Sequence, residues 1–127
     1  MTPDTDKALS EIQKALGTIR VPAVGSEYDL HEMIGRALSD AGVSYVHEAK
    51  LGPRRRIDFL IGDVGVEVKR GKVSRKTLMC QIEKYVMSGQ ISSVIVVTTR
   101  GMNLPGRVLG ARVVSFGLNR LWGVALP

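Results

Sequence analysis

The chain has 127 residues, of which 44% are hydrophobic and 24% are charged, a composition typical of one globular domain that can bury its own core. Its single cysteine, Cys80, cannot form an intrachain disulfide, and its two histidines lack the spacing of a zinc site, so we expect a reducing, cytoplasmic setting. The net charge of +6 and the sequence pI of about 9.8 favour a polyanionic partner, and nucleic acid is the usual one.

Residues 1–20 predict an amphipathic helix, because Leu9, Ile12, Leu16 and Ile19 recur at helical spacing. Such a helix must bury its apolar side, either by covering the domain or by joining two subunits. The segment lacks the basic and apolar regions of a signal peptide, and no later apolar run is long enough to span a bilayer. We therefore expect neither export nor membrane association, and we divide the chain into a helix over 1–20 and a domain over 25–127.

The domain is expected to begin with a helix that starts after Ser26, runs to about Ala41 and ends at Gly42. Three strands follow as a meander over 44–51, 56–62 and 64–70. A helix over 74–88 is predicted next, with Leu78, Ile82, Tyr85 and Val86 facing inward. The segment 92–99 is apolar on both faces, which is typical of a central strand. Shorter strands are predicted over 111–117 and 121–127, and the whole order predicts an α/β fold with a mixed sheet and helices on both faces.

The predicted hairpin "RIDFLIGDVGVEVKRG", residues 56–71, carries charged residues in otherwise apolar strands. A turn centred on Asp63 and Val64 predicts that Asp58 lies opposite Lys69 and that Glu67 lies opposite Leu60. Side chains alternate along a strand, so Asp58, Glu67 and Lys69 are expected on one side. The other side is expected to face the core and holds Ile57, Phe59, Ile61, Val66 and Val68. Taken alone, the pattern also fits a hairpin with one solvated face.

Glu27 is the acidic residue of the second helix that is expected to lie near this hairpin. At 100° per residue it falls in line with Leu30, Ile34 and Leu38, so it is either a first-turn partner of the helix dipole or a side chain pointing into a site at the sheet edge. Three carboxylates in one place suit Mg²⁺, and a nearby lysine can neutralise charge on a phosphate. His31 is expected to be a hydrogen-bonded helix residue, and Glu48 is a second candidate for an extra ligand.

Together these residues resemble the signature of the PD-(D/E)xK nuclease superfamily, in which an Asp on one strand is followed on the next by Glu, any residue and Lys. The resemblance covers about residues 25–99, with "GSEYDLHEMIGRAL" similar to the first helix and "QIEKY", residues 81–85, similar to the Gln-x-x-x-Tyr element of the RecB-like branch. Archaeal-type Holliday junction resolvases carry a similarly placed Gln. The resemblance implies an αβββαβ, restriction-endonuclease-like core, and Ile57 stands where the nominal Pro of the signature would be.

By position, the resemblance implies that Asp58, Glu67 and the carbonyl of Val68 are metal ligands. It also implies that Glu27 is the helix carboxylate of the metal site, that Lys69 is the catalytic lysine and that Gln81 belongs to the catalytic site. The implied cofactor is Mg²⁺, for which Mn²⁺ would substitute. The implied activity is hydrolysis of DNA phosphodiester bonds, with an endonuclease favoured over an exonuclease, on branched or duplex DNA in repair, recombination or the processing of phage and mobile-element DNA.

A basic cluster flanks the signature and is expected to hold the DNA backbone. It comprises Arg54, Arg55, Arg56, Arg70, Lys72, Arg75 and Lys76. The segment 100–112 is another candidate for DNA contact, although a plain connector explains it equally well. Duplex or branched DNA suits an arginine-rich chain with only 5% aromatic residues better than single strands do.

The expected partners are DNA and a second copy of the chain, because a small nuclease with a spare N-terminal helix suits a homodimer that cuts two strands. The chain has no phosphate-binding loop of a motor protein, so a helicase or recombination partner would be another chain. The expected location is the nucleoid or, for a phage-encoded protein, the host cell. Two alternatives stay open: a non-catalytic nucleic-acid-binding module on the same fold, and an interaction domain whose hairpin is merely amphipathic.

Overall fold

The computed structural model describes residues 3–20 and 26–118, which fold into three helices and one six-stranded mixed sheet. The helices are α1 (Pro3–Leu16), α2 (Glu27–Asp40) and α3 (Arg75–Met87). The strands are β1 (Val46–Gly52), β2 (Arg55–Ile61), β3 (Val64–Lys69), β4 (Ser93–Thr98), β5 (Arg107–Val108) and β6 (Ala111–Gly117). The predicted α/β class is confirmed, while the strand predicted over 121–127 lies outside the described residues. No helix in the two described ranges is both long and apolar enough to cross a membrane.

The sheet has the strand order β1-β2-β3-β4-β6-β5. Strands β1, β2 and β3 form an antiparallel meander, and α3 connects β3 to β4, which runs parallel to β3. Strand β6 is parallel to β4 on its other side, and β5 forms a hairpin with β6. All six residues of β4 are buried, which confirms the prediction of a central strand covered on both faces.

Each face of the sheet has its own hydrophobic cluster. Helices α1 and α2 cover one face, where Leu9, Ile12 and Ile34 pack against Val66 and Val97. Helix α3 covers the other face, where Leu78 and Ile82 pack against Val94 and Val96. The apolar side of α1 is therefore buried within the domain. Whether α1 also joins two subunits stays a prediction.

The ends of α2 follow from local hydrogen bonding. The Ser26 hydroxyl accepts from the Asp29 N–H, and the Asp29 carboxylate accepts from the Ser26 N–H, so both orphan donors of the first turn are satisfied. At the other end Gly42 has φ +75°, a conformation that glycine adopts without steric cost, and the helix stops there as predicted. The capping pair fixes where the first turn of α2, and with it Glu27, lies against the sheet.

The predicted register of the β2–β3 hairpin is wrong by two residues. Ile61 pairs with Val64 and Phe59 with Val66, so the turn is the two-residue Gly62–Asp63 with Gly62 at φ +59°. A tight two-residue turn needs positive φ, which Gly62 supplies. A shift of two residues preserves which side chains share a face, and the grouping of the charged residues survives the error.

Two further predictions about this part of the sheet need correction. Ile57 does not pack with Phe59 and Ile61, but lies in the cluster under α3, where a Cβ on Gly65 would overlap its side chain. The segment 100–112, predicted as a loop, contains β5 and a tight turn at Leu109 and Gly110, both with positive φ. A leucine at φ +49° is an unusual turn residue, so Gly110 is the only turn signal that this pair carries in the sequence.

Candidate active site

Asp58 is held beside the backbone of β3 by a side-chain hydrogen bond. The ladder between β2 and β3 runs from the turn to Phe59 and Val66, and Asp58 is the next residue of β2. Its Oδ2 accepts the N–H of Val68 at 2.7 Å. This bond fastens the carboxylate to the strand that carries Glu67 and Lys69. The role predicted for the Val68 carbonyl stays a prediction, since the contact described here involves its N–H.

Glu67 is the buried acid of the site, with 4% of its surface exposed. The Tyr85 hydroxyl donates to its Oε1 at 3.0 Å, and the Lys69 Nζ lies 3.1 Å from its Oε2. Burial, together with the nearby charge of Asp58, raises the pKa of Glu67 to about 7. Burial and the Glu67 charge also raise the pKa of Tyr85, so the phenol stays a donor near neutral pH. Both predicted strand residues, Glu67 and Lys69, are therefore in direct contact.

Asp58 shares this crowded environment. Burial raises its pKa most strongly, the Val68 hydrogen bond opposes that rise, and the charge of Glu27 adds to it. Lys69 lowers the pKa of Asp58 as well as that of Glu67. Asp58, Glu67 and Lys69 thus act on one another electrostatically, as expected if they lie on one side of the hairpin. One lysine beside two carboxylates leaves the cluster with excess negative charge.

The first turns of α2 bring two more side chains to Asp58. One ligand atom from each of Glu27, His31 and Asp58 lies within 4.8 Å of the other two, a spacing at which the three can share a metal ion. The His31 Nε2 lies 3.7 Å from Asp58 Oδ2. Burial and the charge of His47 lower the pKa of His31, so its imidazole is mostly neutral at pH 7. Glu67 is not one of this trio, and its closest contacts are with Tyr85 and Lys69.

Gln81 of α3 lines a small cavity beside Glu27 and Lys69. A cavity of about 200 Å³ is lined by Glu27, Lys69 and Gln81, together with residues of the turn between β3 and α3. The Oε1 atom of Gln81 is buried and has no hydrogen-bond partner among the described residues. A buried acceptor without a donor is costly, so this atom favours a bound donor such as water in the cavity. Glu27, Lys69 and Gln81, predicted from three different elements, meet here.

A larger cavity of about 1090 Å³ shares Arg70, Lys72 and Val73 with the small one. Its lining includes five basic side chains, three from outside the predicted cluster: Arg20, Arg36, Arg70, Lys72 and Arg100. Three acidic residues of α2 also line it: Asp29, Glu32 and Asp40. The two cavities form a neighbouring pair in which basic groups lead from the surface toward Lys69.

The predicted DNA-binding residues differ in whether they line the two cavities. Arg70 and Lys72 line both cavities, whereas Arg54, Arg55 and Arg56 line neither. The last three lie at the turn between β1 and β2, with Arg56 3.8 Å from Glu48. Arg75 and Lys76 begin α3 as exposed residues, and Arg75 Nε donates to the carbonyl of Asn103. Glu48 is exposed and its contact is with Arg56, so the structure does not place it among the ligand trio.

The sequence predicted His31 as a hydrogen-bonded helix residue, which its contact with His47 fits, but not as a neighbour of the candidate ligands. It also gave no role to Arg20, Arg36 or Arg100. The signal for His31 was its position four residues after Glu27, on the same side of α2. Arg20, Arg36 and Arg100 gave no such signal, because they come from separate segments and meet only through the fold.

No family model matches the chain, and no curated protein or solved structure matches it. What the chain does must therefore be argued from the chemistry of its site. The arrangement offers oxygen and imidazole ligands for a divalent cation, a lysine beside a buried carboxylate, and adjoining basic groups for a polyanion.

Proposed function

We propose that this protein is a metal-dependent deoxyribonuclease of the PD-(D/E)xK superfamily. The observation that carries the proposal is the convergence of Glu27 from α2, Asp58 from β2, Glu67 and Lys69 from β3 and Gln81 from α3 at one end of β3. Each is the residue that the resemblance assigns to the site. Strained electrostatics of this kind, with two acids whose pKa values are raised, is typical of functional sites.

The order of elements supports the same proposal. From α2 onward the chain runs α2, β1, β2, β3, α3, β4, which is the order αβββαβ that the resemblance implies. In this order the antiparallel meander delivers Asp58 and Glu67 on neighbouring strands, and the crossover helix α3 brings Gln81 and Tyr85 over them. We propose that these elements form a restriction-endonuclease-like core, with α1 as an added helix.

The residues present fit a divalent cation. Glu27, His31 and Asp58 offer two carboxylates and one imidazole within 4.8 Å of one another, with Glu67 beside Asp58. Burial raises the pKa of both acids, and a bound cation would favour their charged forms. Mg²⁺ suits the carboxylates and Mn²⁺ suits the whole set. When bound, the cation would supply charge to the phosphodiester and lower the pKa of an attacking water.

Lys69 and Gln81 are the chain's own groups for handling that water. The Lys69 ammonium lies against Glu67 and lines the small cavity, so it can neutralise charge that grows on the phosphate. Gln81 offers an unpaired acceptor for a water proton in the same cavity. Hydrolysis consumes one water, breaks one P–O bond and leaves a phosphomonoester and a hydroxyl end.

The proposed substrate is duplex or branched DNA, with an endonuclease favoured over an exonuclease. Support comes from the basic side chains of the larger cavity, which adjoin Lys69 and suit contacts to phosphates rather than to bases. A homodimer would place two such sites on one junction. We also propose that a helicase or a recombination protein, encoded as a separate chain, is a partner.

The test is a cleavage panel of linear duplex, single-stranded, flap and four-way-junction DNA, run in Mg²⁺, in Mn²⁺ and in EDTA. We expect cleavage of junction or duplex substrates in either cation and none in EDTA. Glu67→Gln should abolish it, because the variant keeps the size of the side chain but loses the charge. Glu83→Gln is the matched control, since Glu83 lies exposed on α3 and lines neither cavity.

Cleavage that persists in Glu67→Gln would overturn the assignment of the site. Tight, salt-dependent binding of DNA without cleavage in either cation would instead favour the non-catalytic nucleic-acid-binding module. Sedimentation of the protein with and without junction DNA tests the dimer separately, and a strict monomer in both would remove it.

A further inference from the structure

The imidazole of His31 is held from its far side by a second histidine. The Nδ1 of His31 lies 2.9 Å from the Nε2 of His47 on β1, and the two rings meet edge to face with centroids 5.1 Å apart. The other ring nitrogen of His31, Nε2, faces the carboxylates of Glu27 and Asp58. His47 therefore contacts the atom of His31 that points away from the site.

Phe59 supports both rings from the core. Its ring centroid lies 4.9 Å from that of His47 and 5.5 Å from that of His31. Phe59 is itself fully packed in the cluster beneath α1 and α2. Packing on a buried aromatic ring restricts the rotation of the half-buried His31 imidazole, while the exposed His47 contacts Phe59 with one side of its ring.

Two placements of the hydrogen satisfy the contact between the histidines. In one, His31 Nδ1–H donates to His47 Nε2, which leaves the lone pair of His31 Nε2 facing Glu27 and Asp58. In the other, His47 Nε2–H donates to His31 Nδ1, and His31 then carries a hydrogen on Nε2. The second placement gains little from Asp58, because 3.7 Å between Nε2 and Oδ2 is too long for a hydrogen bond.

We propose that His47 is a positioning residue, which accepts the Nδ1–H of His31 and so presents His31 Nε2 as a ligand for a divalent transition metal such as Mn²⁺. This rests on the metal site of the proposed function and deepens it by assigning the metal preference. A ligating imidazole commonly donates its second N–H to an outer partner, which fixes its tautomer and orientation. An imidazole nitrogen adds affinity for a transition metal but not for Mg²⁺, which prefers oxygen ligands.

The test measures Mn²⁺ and Mg²⁺ binding to the full chain by calorimetry, with electron spin-echo spectroscopy of the Mn²⁺ complex to detect a bound ¹⁴N nucleus. Two variants are compared with the wild type. His47→Leu keeps an apolar side chain against Phe59 but removes the acceptor, whereas His47→Gln keeps an acceptor at similar reach. Neither measurement depends on cleavage.

We expect a ¹⁴N coupling in the wild type, and an affinity for Mn²⁺ about tenfold weaker in His47→Leu, as for other outer partners of metal ligands. His47→Gln should recover most of that loss, and Mg²⁺ affinity should be the same in all three proteins. Equal Mn²⁺ affinity in wild type and His47→Leu, or an equal loss in both variants, would overturn the role of His47. A wild type that binds Mn²⁺ without nitrogen coupling would overturn the inference alone, whereas one that binds neither cation would overturn the proposed metal site as well.

Discussion

The two ends of the β2–β3 hairpin both carry carboxylates, but they hold them differently. At the turn, Asp63 accepts the hydroxyl hydrogens of Thr5 from α1 and Ser92 before β4, and its carbonyl accepts the Ser92 N–H at 2.9 Å. At the open end, burial raises the pKa of both Asp58 and Glu67, the charge of Asp58 raises that of Glu67 further, and the two acids share one lysine. The carboxylate at the turn is satisfied by neutral hydroxyl donors, whereas the two carboxylates at the open end have one lysine between them.

Under the proposed function, Asp63 is a structural carboxylate, and Asp58 and Glu67 belong to the metal site. Hydroxyl donors around Asp63 join three segments of the chain and stabilise the fold without any further ligand. A buried acid beside a half-buried one costs folding free energy, and such a cost is typical of sites where a ligand supplies charge. We therefore expect the hairpin to anchor the domain at its turn and to hold the proposed metal site at its other end. The four predictions below test this division.

The same Asp→Asn substitution should lower the rate of cleavage at the open end of the hairpin but not at its turn. Asp58→Asn should lower the rate of DNA cleavage on the order of 1000-fold, which corresponds to about 4 kcal/mol of activation free energy, because a ligand charge is lost. Asp63→Asn should leave the rate near that of the wild type. Single-turnover cleavage of a junction substrate measures both. Equal losses at the two positions would end the distinction between the two carboxylates.

The metal-free protein should lose stability as pH rises, because the pKa of Glu67 is about 7 in the folded chain against an ordinary value of 4.5. Between these values the folded state holds a proton that the unfolded state has released, so the free energy of unfolding falls as pH increases. The loss should reach about 3 kcal/mol by pH 8. Denaturant unfolding in EDTA from pH 4 to pH 8 measures it.

The control for this pH series is Glu67→Gln, which removes the titrating group. His31 acts in the opposite direction, since its lowered pKa makes stability rise with pH up to about 6.5. The quantity to compare is therefore the difference in the free energy of unfolding between wild type and variant at each pH. A difference that does not change between pH 4 and pH 8 would show that Glu67 is not perturbed.

Asp63→Ala should lower the free energy of unfolding by about 2 kcal/mol, because the acceptor for two hydroxyl donors from distant segments is lost. Denaturant unfolding of the variant and the wild type checks this. A stability equal to that of the wild type would show that the turn does not anchor α1 and β4.

The elements of the core could be predicted because their signals are local. The Ser26 cap and Gly42 bound α2, and the β-branched run of β4 reads as a central strand. Alternation alone placed Asp58, Glu67 and Lys69 together, and this grouping survived a register error because the error was an even number of residues. The strand residues of the candidate site could therefore be predicted from the local sequence pattern.

The rest depends on contacts that local pattern does not encode. Ile57 packs under α3 although its neighbours two positions on lie on the other face. His31 and His47 are sixteen residues apart and meet only because α2 packs against the sheet that contains β1. The arginines of the larger cavity come from the end of α1, from α2 and from the segment after β4. Tertiary packing decides each of these positions.

The smallest expected effect concerns how DNA reaches the open end of the hairpin. Arg36 lines the larger cavity, so Arg36→Gln should weaken binding of duplex DNA a few-fold and reduce the slope of log affinity against log salt by about one. Arg107→Gln is the matched control, because Arg107 is exposed on β5 and lines neither cavity. Fluorescence anisotropy over a salt series, with metal omitted, measures both slopes.

A triple variant that reverses the charge of Arg54, Arg55 and Arg56 tests the alternative path for DNA in the same salt series. If that triple variant changes the salt slope while Arg36→Gln does not, DNA approaches over the turn between β1 and β2, and the larger cavity is not its path. If Arg36→Gln changes the slope and Arg107→Gln does not, the phosphates lie along the cavity that adjoins Lys69. In that case basic groups from four separate segments bind the DNA backbone next to Asp58 and Glu67, at the open end of the β2–β3 hairpin.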